Sequence, residues 1–281
     1  MRQQTFNNKK STLYLTATPI GNLGDFSTRA IETLRNVSLI ACEDTRQTKK
    51  LTSHFKINTH LISCHQHNER SATEKIITAL EEGRDVALVS DAGYPLISDP
   101  GSLVVSSVLE SGFNVSVIPG PSAFLSALVA SNLPCDRFTF YGFLSAKSSQ
   151  RKKELEKLSS REETLIFYES PHRILETLED MLIILGDRKV CLSRELTKKF
   201  EEYIRGNISL VIKEIQDGVK GEIVLIVDGK EDEVPFIEDE KIIQAVRDFM
   251  AEGLSNKDAI SAAAEKFNLK KNRVYNLYHS N

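Results

Sequence analysis

The first half of the chain alternates short apolar runs with helical patterns, and no other feature of the sequence restricts the fold as much. Leu13–Ala17, Val37–Cys42, Leu61–Cys64, Val86–Val89 and Val115–Ile118 are each only a few residues long and rich in Val, Ile and Leu. Near-continuous apolar runs of this length suit strands buried on both faces, as in parallel sheets. The intervening segments carry helical signals. Ser27 opens a helix that puts Ala30, Ile31 and Leu34 on one face. Ser71 and Glu74 form a capping box ahead of Ile76, Ile77 and Leu80, and Gly83 stops that helix. Further helices are predicted over Ser102–Gly112 and after Pro121. Such a β-α rhythm predicts an α/β fold with a mostly parallel N-terminal sheet covered on both faces. Ligands of such sheets bind at the carboxyl ends of the strands.

The pattern changes near Asn132-Leu133-Pro134. Strands are predicted over Phe138–Phe143, Thr164–Tyr168, Val190–Ser193, Glu202–Arg205 and Ile223–Asp228, with helices near Ser149–Leu158, Arg173–Leu185 and Ile208–Gln216. Arg194–Phe200 is too short for a helical crossover, so the strands it joins should be antiparallel and the second sheet mixed. The expected organisation is a polar, flexible arm over 1–11, an N-terminal α/β domain over 12–132, and a second mixed α/β domain over 133–229. An acidic linker over 230–240 and a helix-turn-helix-like segment over 241–281 follow, with Ser255 as a helix N-cap.

Composition narrows the function. Lys plus Arg number 36 against 39 Asp plus Glu, which excludes a protein that coats nucleic acid by bulk charge and leaves a local basic patch open. The four cysteines form no Cys-x-x-Cys pair and read as buried free thiols of a reducing, cytoplasmic compartment. No apolar run is long enough for a membrane helix, so no membrane partner is expected.

The chemistry-bearing segments fall at strand ends. Ser90–Gly101 carries two Gly, two Pro and two Asp, and is longer than a simple connection requires. Pro119-Gly120-Pro121-Ser122-Ala123 precedes a helix and matches neither a phosphate-cradling loop nor a serine-hydrolase elbow. Gly21-Asn22-Leu23-Gly24 has the spacing of an RNA-clamping Gly-x-x-Gly without its helical context. His65-Gln66-His67-Asn68-Glu69 offers polar contacts, and only weakly a metal site with Asp91 or Asp99; no metal is expected. Lys147, Arg151, Lys152, Lys153 and Lys157 form a basic run that suits phosphates or a solvated face.

Taken together, these motifs resemble one family. Ala17–Asp25, Glu43–Arg46, Ser90–Gly93, Ile97–Gly101, Ile118–Ala123, Phe167–Arg173, Arg194–Lys198 and Lys220–Glu222 follow, in unbroken order, those of the bacterial 16S ribosomal RNA ribose methyltransferases of the tetrapyrrole methylase family. The chain departs at Tyr94 and Leu96, where the family usually has Thr and Gly, and both replacements are bulkier. The resemblance implies a two-domain tetrapyrrole-methylase-like fold, S-adenosylmethionine as methyl donor, and a homodimer. It implies 2′-O-methylation of a cytidine in the decoding centre of 16S ribosomal RNA, with that RNA or the small ribosomal subunit as partner. Cofactor contacts are expected from Pro19, Asp91, Gly93, Tyr94, Ile97, Gly120, Ser122, Ala123 and Tyr168. Contacts to RNA are expected from Asn22, Glu43, Arg46, His65, Glu69, Lys147, Arg151, Arg173 and Glu195. A ribose hydroxyl needs a base or a polarising partner, for which Asp44 and His67 are favoured. A porphyrin or corrin methylase and a metal-dependent hydrolase are the competing readings.

Overall fold

The computed structural model describes residues 3–5, 7–230, 238–267 and 269–279. The five apolar runs of the first half become β1 (Thr12–Thr16), β2 (Leu39–Cys42), β3 (His60–Ser63), β4 (Val86–Val89) and β5 (Asn114–Ile118). They form one parallel sheet in the order β3-β2-β4-β1-β5. Period-2 alternation splits each strand between two cores. Ala41, Val86 and Leu88 pack with Ile76 and Val104 on one face, while Ile40, Ala87 and Val89 pack with Leu34 and Phe26 on the other. The helices that cover these faces are α1 (Thr28–Asn36), α2 (Thr45–His54), α3 (Glu69–Glu81), α4 (Ser102–Glu110) and α5 (Ala123–Ala130).

Two local expectations need correction. The capping box at Ser71 is not formed. The helix starts three residues earlier, at Glu69 after the N-cap Asn68, and the Ser71 hydroxyl donates to the Asn68 carbonyl (3.0 Å). The helix α2 was not predicted at all, because its buried face is built on Thr48 and Thr52 and lacks an apolar stripe. Of the residues read as an arm, Gln3 and Asn8 are bonded to β5. Gln3 Nε2 donates to the Val115 carbonyl (2.8 Å) and Asn8 Nδ2 to Asn114 Oδ1 (2.7 Å).

The second sheet contains β6 (Phe138–Phe143), β7 (Thr164–Glu169), β8 (Lys189–Arg194), β9 (Glu202–Asn207) and β10 (Ile223–Val227) in the order β6-β7-β10-β8-β9. Only β6 and β7 are parallel; β8 and β9 form the antiparallel pair that their short connection requires. One face carries α6 (Ser148–Leu158), α7 (Ile174–Leu185) and α8 (Ile208–Glu214) over a core of Leu165, Phe167, Leu192 and Leu225. The opposite face, with Ile166, Cys191, Val224 and Ile226, is covered by Ala127 and Leu128 of α5 and by Ile20 from the loop after β1. Residues 1–230 thus form one compact unit in which the strand exits of the first sheet meet the second.

Residues 231–281 form a separate unit. Most of the expected linker, 231–237, lies outside the described residues. The rest is α9 (Asp239–Ala251), α10 (Asn256–Lys266) and α11 (Lys271–His279) around Ile242, Val246, Ile260 and Val274. Ser255 caps α10 by accepting from Asp258 N, as predicted. Among the described residues no helix is long and apolar enough to cross a membrane. Cys42, Cys64 and Cys191 are buried free thiols, but Cys135 is exposed, contrary to the expectation for all four.

Candidate active site

Three adjacent strand exits are tied together before any ligand is considered. Thr18 and Gly93 exchange both backbone hydrogen bonds (2.9 and 3.0 Å), joining the loops after β1 and β4. The Ser90 hydroxyl donates to the Gly93 carbonyl (3.1 Å), and Thr18 Oγ1 donates to the Ser90 carbonyl (3.1 Å). The Gly120 N–H donates to the Tyr94 hydroxyl (3.0 Å), adding the loop after β5. The loop after β4 also holds Leu96 and Ser98 at φ +74° and +65°, a left-handed conformation that costs an L-residue about 1 kcal/mol or more. These ties offset that strain and fix the loop's shape.

Against this frame lies a cavity of about 370 Å³, closed on its far side by the second sheet. Gly93, Tyr94, Ile97, Ser122, Ala123 and Tyr168 of the expected cofactor set line it; Pro19, Asp91 and Gly120 do not. The lining also includes Ile20, Asp99, Glu169, Leu196, Glu222 and Val224, which the sequence reading did not assign to the cofactor. Its charged side chains are all acidic, and no basic side chain is among the described residues that line it. Glu169 is satisfied by the Arg173 guanidinium (2.6 Å), the Thr177 hydroxyl (2.8 Å) and the Ser170 N–H (2.7 Å), and Glu222 pairs with Lys198 (2.9 Å). Among the described residues no cation pairs with Asp99, and only a hydrogen bond from the Ser90 side chain favours its ionised form. Burial, followed by the nearby Glu43 charge, pushes its carboxyl up to about 6. Burial pushes the Tyr168 phenol up to about 12, so it keeps its proton at neutral pH.

The remaining candidates sort by geometry. Asp44, favoured as a base, is instead an ionised N-cap. Its carboxylate takes Arg46 N–H and guanidinium bonds (2.7–3.2 Å), and Arg46 holds it down to about 2. A carboxylate held that low is a poor proton acceptor, and Arg46 is committed to it. His67 is exposed; its ring centroid is 5.9 Å from that of His65, whose Nδ1 is buried without a partner. Glu43 sits half-buried beside them, pushed upward by burial first and by Asp91 second. Glu69 Oε1 accepts the Gly101 and Leu103 N–H groups (3.0 and 3.1 Å) and so caps α4, whose N-cap glycine has no side chain to do so.

Arg151 must be removed from the RNA set. It is 1% exposed, pairs with Asp180 (2.7 Å) and faces Glu176 (3.6 Å), so no phosphate reaches it. Lys147, Lys153 and Lys157 remain on the surface, while Lys152 also leans on Asp180 (3.3 Å). Arg173 is tied to Glu169, and Glu195 accepts from Lys198 Nζ (2.8 Å) and Glu222 N (3.1 Å), fixing the turn after β8. Asn22 is exposed, and its side chain accepts only the Gly24 N–H. Among the described residues no three His, Cys, Asp or Glu side chains are grouped to hold a metal ion.

Comparison with known proteins bears on this site. The family model described as Tetrapyrrole (Corrin/Porphyrin) Methylases matches residues 12–211. A Bacillus subtilis protein named ribosomal RNA small subunit methyltransferase I is 48% identical over 99% of this chain and 98% of its own. The protein of that name from Escherichia coli O157:H7 is 44% identical, covering 98% of this chain and 96% of its own. The structure of uroporphyrin-III-C-methyltransferase from Thermus thermophilus superposes with a TM-score of 0.53 over 78% of this chain and 92% of that one. At 16% identity it speaks to the fold alone.

Proposed function

Because the chain belongs to the tetrapyrrole (corrin/porphyrin) methylase family, we propose that its acid-lined cavity holds S-adenosylmethionine for methylation of a cytidine 2′-hydroxyl in the decoding centre of 16S ribosomal RNA. The chain is an S-adenosylmethionine-dependent methyltransferase of small-subunit ribosomal RNA. Beyond that, the observation that carries the site assignment is the charge of the lining. The cofactor is a sulfonium cation with an apolar adenosine body. A cavity with Ile20, Ile97, Leu196 and Val224 on its walls and one uncompensated carboxylate, Asp99, fits such a ligand. When bound, the cofactor supplies an electrophilic methyl group. The protein's part is to hold it in line with the ribose, which is where much of the rate originates.

In this reading Gly93, Tyr94, Ile97, Ser122, Ala123 and Tyr168 surround the cofactor and Asp99 faces its positive charge. Pro19, Asp91 and Gly120 shape the loops from behind. RNA is met by the exposed Lys147, Lys153 and Lys157, with Asn22, His65, Arg173 and Glu195 at the rim of the cleft. A homodimer has its support in exposed apolar side chains of α5 and β6, Val129 at 76% exposure above all. We read the protein as working in the cytoplasm, where small subunits are assembled. Two measurements test the proposal. Calorimetry should show stoichiometric S-adenosylmethionine binding. Mass spectrometry of 16S nucleosides should show one ribose methyl lost in cells without this chain. An unchanged nucleoside profile would overturn the RNA substrate.

A further inference from the structure

Ribose methylation, on the reading just given, needs a group that takes the hydroxyl proton. Four titratable side chains leave β2 and β3 towards the cleft: Glu43, Asp44, His65 and His67. Arg46 occupies Asp44, and His67 stands in solvent. Glu43 is different. No hydrogen-bond donor or cation among the described residues reaches its carboxylate, although it is half-buried.

Strand register explains its position. Cys42 pairs with Ser63 of β3 and with Val89 of β4. Glu43, one residue further on, therefore leaves the sheet between the exits of two neighbours. His65 faces it from beyond the end of β3, Asp91 and Asp99 from the loop after β4, and Asp44 from the N-cap of α2. Asp99 belongs to the cavity wall and senses the Glu43 charge, so Glu43 stands close to the cavity without lining it. Beside it, His65 Nδ1 is buried and unpartnered, a rare state for a buried polar atom that calls for an explanation.

We propose that Glu43 accepts the proton of the attacking ribose hydroxyl, with His65 as the residue that positions it. The 2′-oxygen bonds to the methyl carbon, the carbon–sulfur pair stays on sulfur, and the hydroxyl proton passes to a Glu43 oxygen. From there it leaves to water. The sulfonium charge is lost and the proton is gained at the carboxylate, so atoms and charge balance. Burial and the facing Asp91 make Glu43 more basic than an ordinary carboxylate. His65 opposes that rise, and its buried Nδ1 has no partner among the described residues.

The test is single-turnover methyl transfer to small ribosomal subunits from cells lacking this chain, at saturating S-adenosylmethionine, across about pH 5 to 9. The wild-type rate should rise with pH to a plateau. Glu43→Gln should lower the plateau about 100-fold or more and abolish the acid limb. Its S-adenosylmethionine affinity by calorimetry should stay within about twofold, a split that a general loss of structure would not give. Glu43→Asp should recover part of the rate, and His65→Gln should move the limb to higher pH. If Glu43→Gln keeps the limb and a rate within about threefold of wild type, Glu43 is not the acceptor. Should Glu43→Gln fail to fold, an unchanged rate and limb in both Glu43→Asp and His65→Gln would overturn the proposal equally. A wild-type protein that binds no S-adenosylmethionine or leaves the subunits unmethylated would instead bring down the functional reading itself.

Discussion

Asp99→Asn should separate cofactor affinity from stability, in opposite directions. The Asp99 carboxyl titrates at about 6 against an ordinary 3.8, first because of burial and second because of Glu43. Keeping it ionised at pH 7.5 costs the free protein about 3 kcal/mol at most. The sign follows from proton binding. Between about pH 4 and 6 the folded state holds a proton that the unfolded state has lost, so stability falls as pH rises through that window and stays lower above it. A cation in the cavity relieves the cost. If half of it is recovered on binding, the cofactor gains about 1.5 kcal/mol, or roughly tenfold in affinity. Calorimetry at pH 7.5 should therefore show S-adenosylmethionine binding to Asp99→Asn roughly tenfold more weakly. The demethylated thioether product, which has no sulfonium, should lose much less. Wild-type affinity should fall as pH drops below about 6, and the variant's should not. Thermal denaturation of the free variant should show a higher Tm. Equal losses for cofactor and product would refute the argument, because the carboxylate would then be acting by shape and not by charge.

Three further outcomes follow from the same geometry. Asp180→Ala leaves the buried Arg151 guanidinium without its main partner and should cost about 3–5 kcal/mol in urea denaturation. Because Arg151 and Ser148 hold the Asp180 carboxyl low against the opposing effect of burial, the wild-type contribution is present above the ordinary carboxylate pKa and fades as pH falls through the depressed one. Replacing Lys147, Lys153 and Lys157 together by Ala should flatten the salt dependence of RNA binding by about 0.7 per lost phosphate contact in a log–log plot, and an unchanged slope would make them a solvated face. Gly21→Ala would set a Cβ 2.5 Å from Lys198 Cγ and 3.0 Å from the Leu196 carbonyl, and should destabilise by about 1–3 kcal/mol in the same denaturation assay.

The parallel sheet was legible because its strands are apolar on both faces, and the second sheet because a seven-residue connection forbids a crossover. What periodicity does not register is a helix whose buried face is threonine, which is why α2 went unseen. Arg151 carried a readable warning: Leu155 and Leu158 follow it at i+4 and i+7, so it lies on the buried face of α6 while the lysines around it do not. The neighbours Glu43 and Asp44 could not be told apart from sequence. Their roles diverge because Arg46 folds back onto one of them, and because β3 and β4 flank the other in register. The capping role of Glu69 was hidden for a similar reason, since the helix end it caps begins more than thirty residues away. Asp99 was quoted in its motif but not assigned to the cofactor, because its burial in a cavity wall with no basic side chain among the described residues is a property of the assembled cleft.

The shared core beneath the cleft has a consequence for how such a protein is made and inherited. The inner face of the second sheet is covered by Ile20, Ala127 and Leu128, residues that precede every one of its strands. During synthesis, α5 emerges with an apolar surface and waits for β7 and β10, and the later strands gather onto a template already present. Neither half can bury this shared apolar face without the other. A truncation at the sheet boundary would leave an aggregation-prone face on both fragments, and a shuffled gene would have to carry the two halves together.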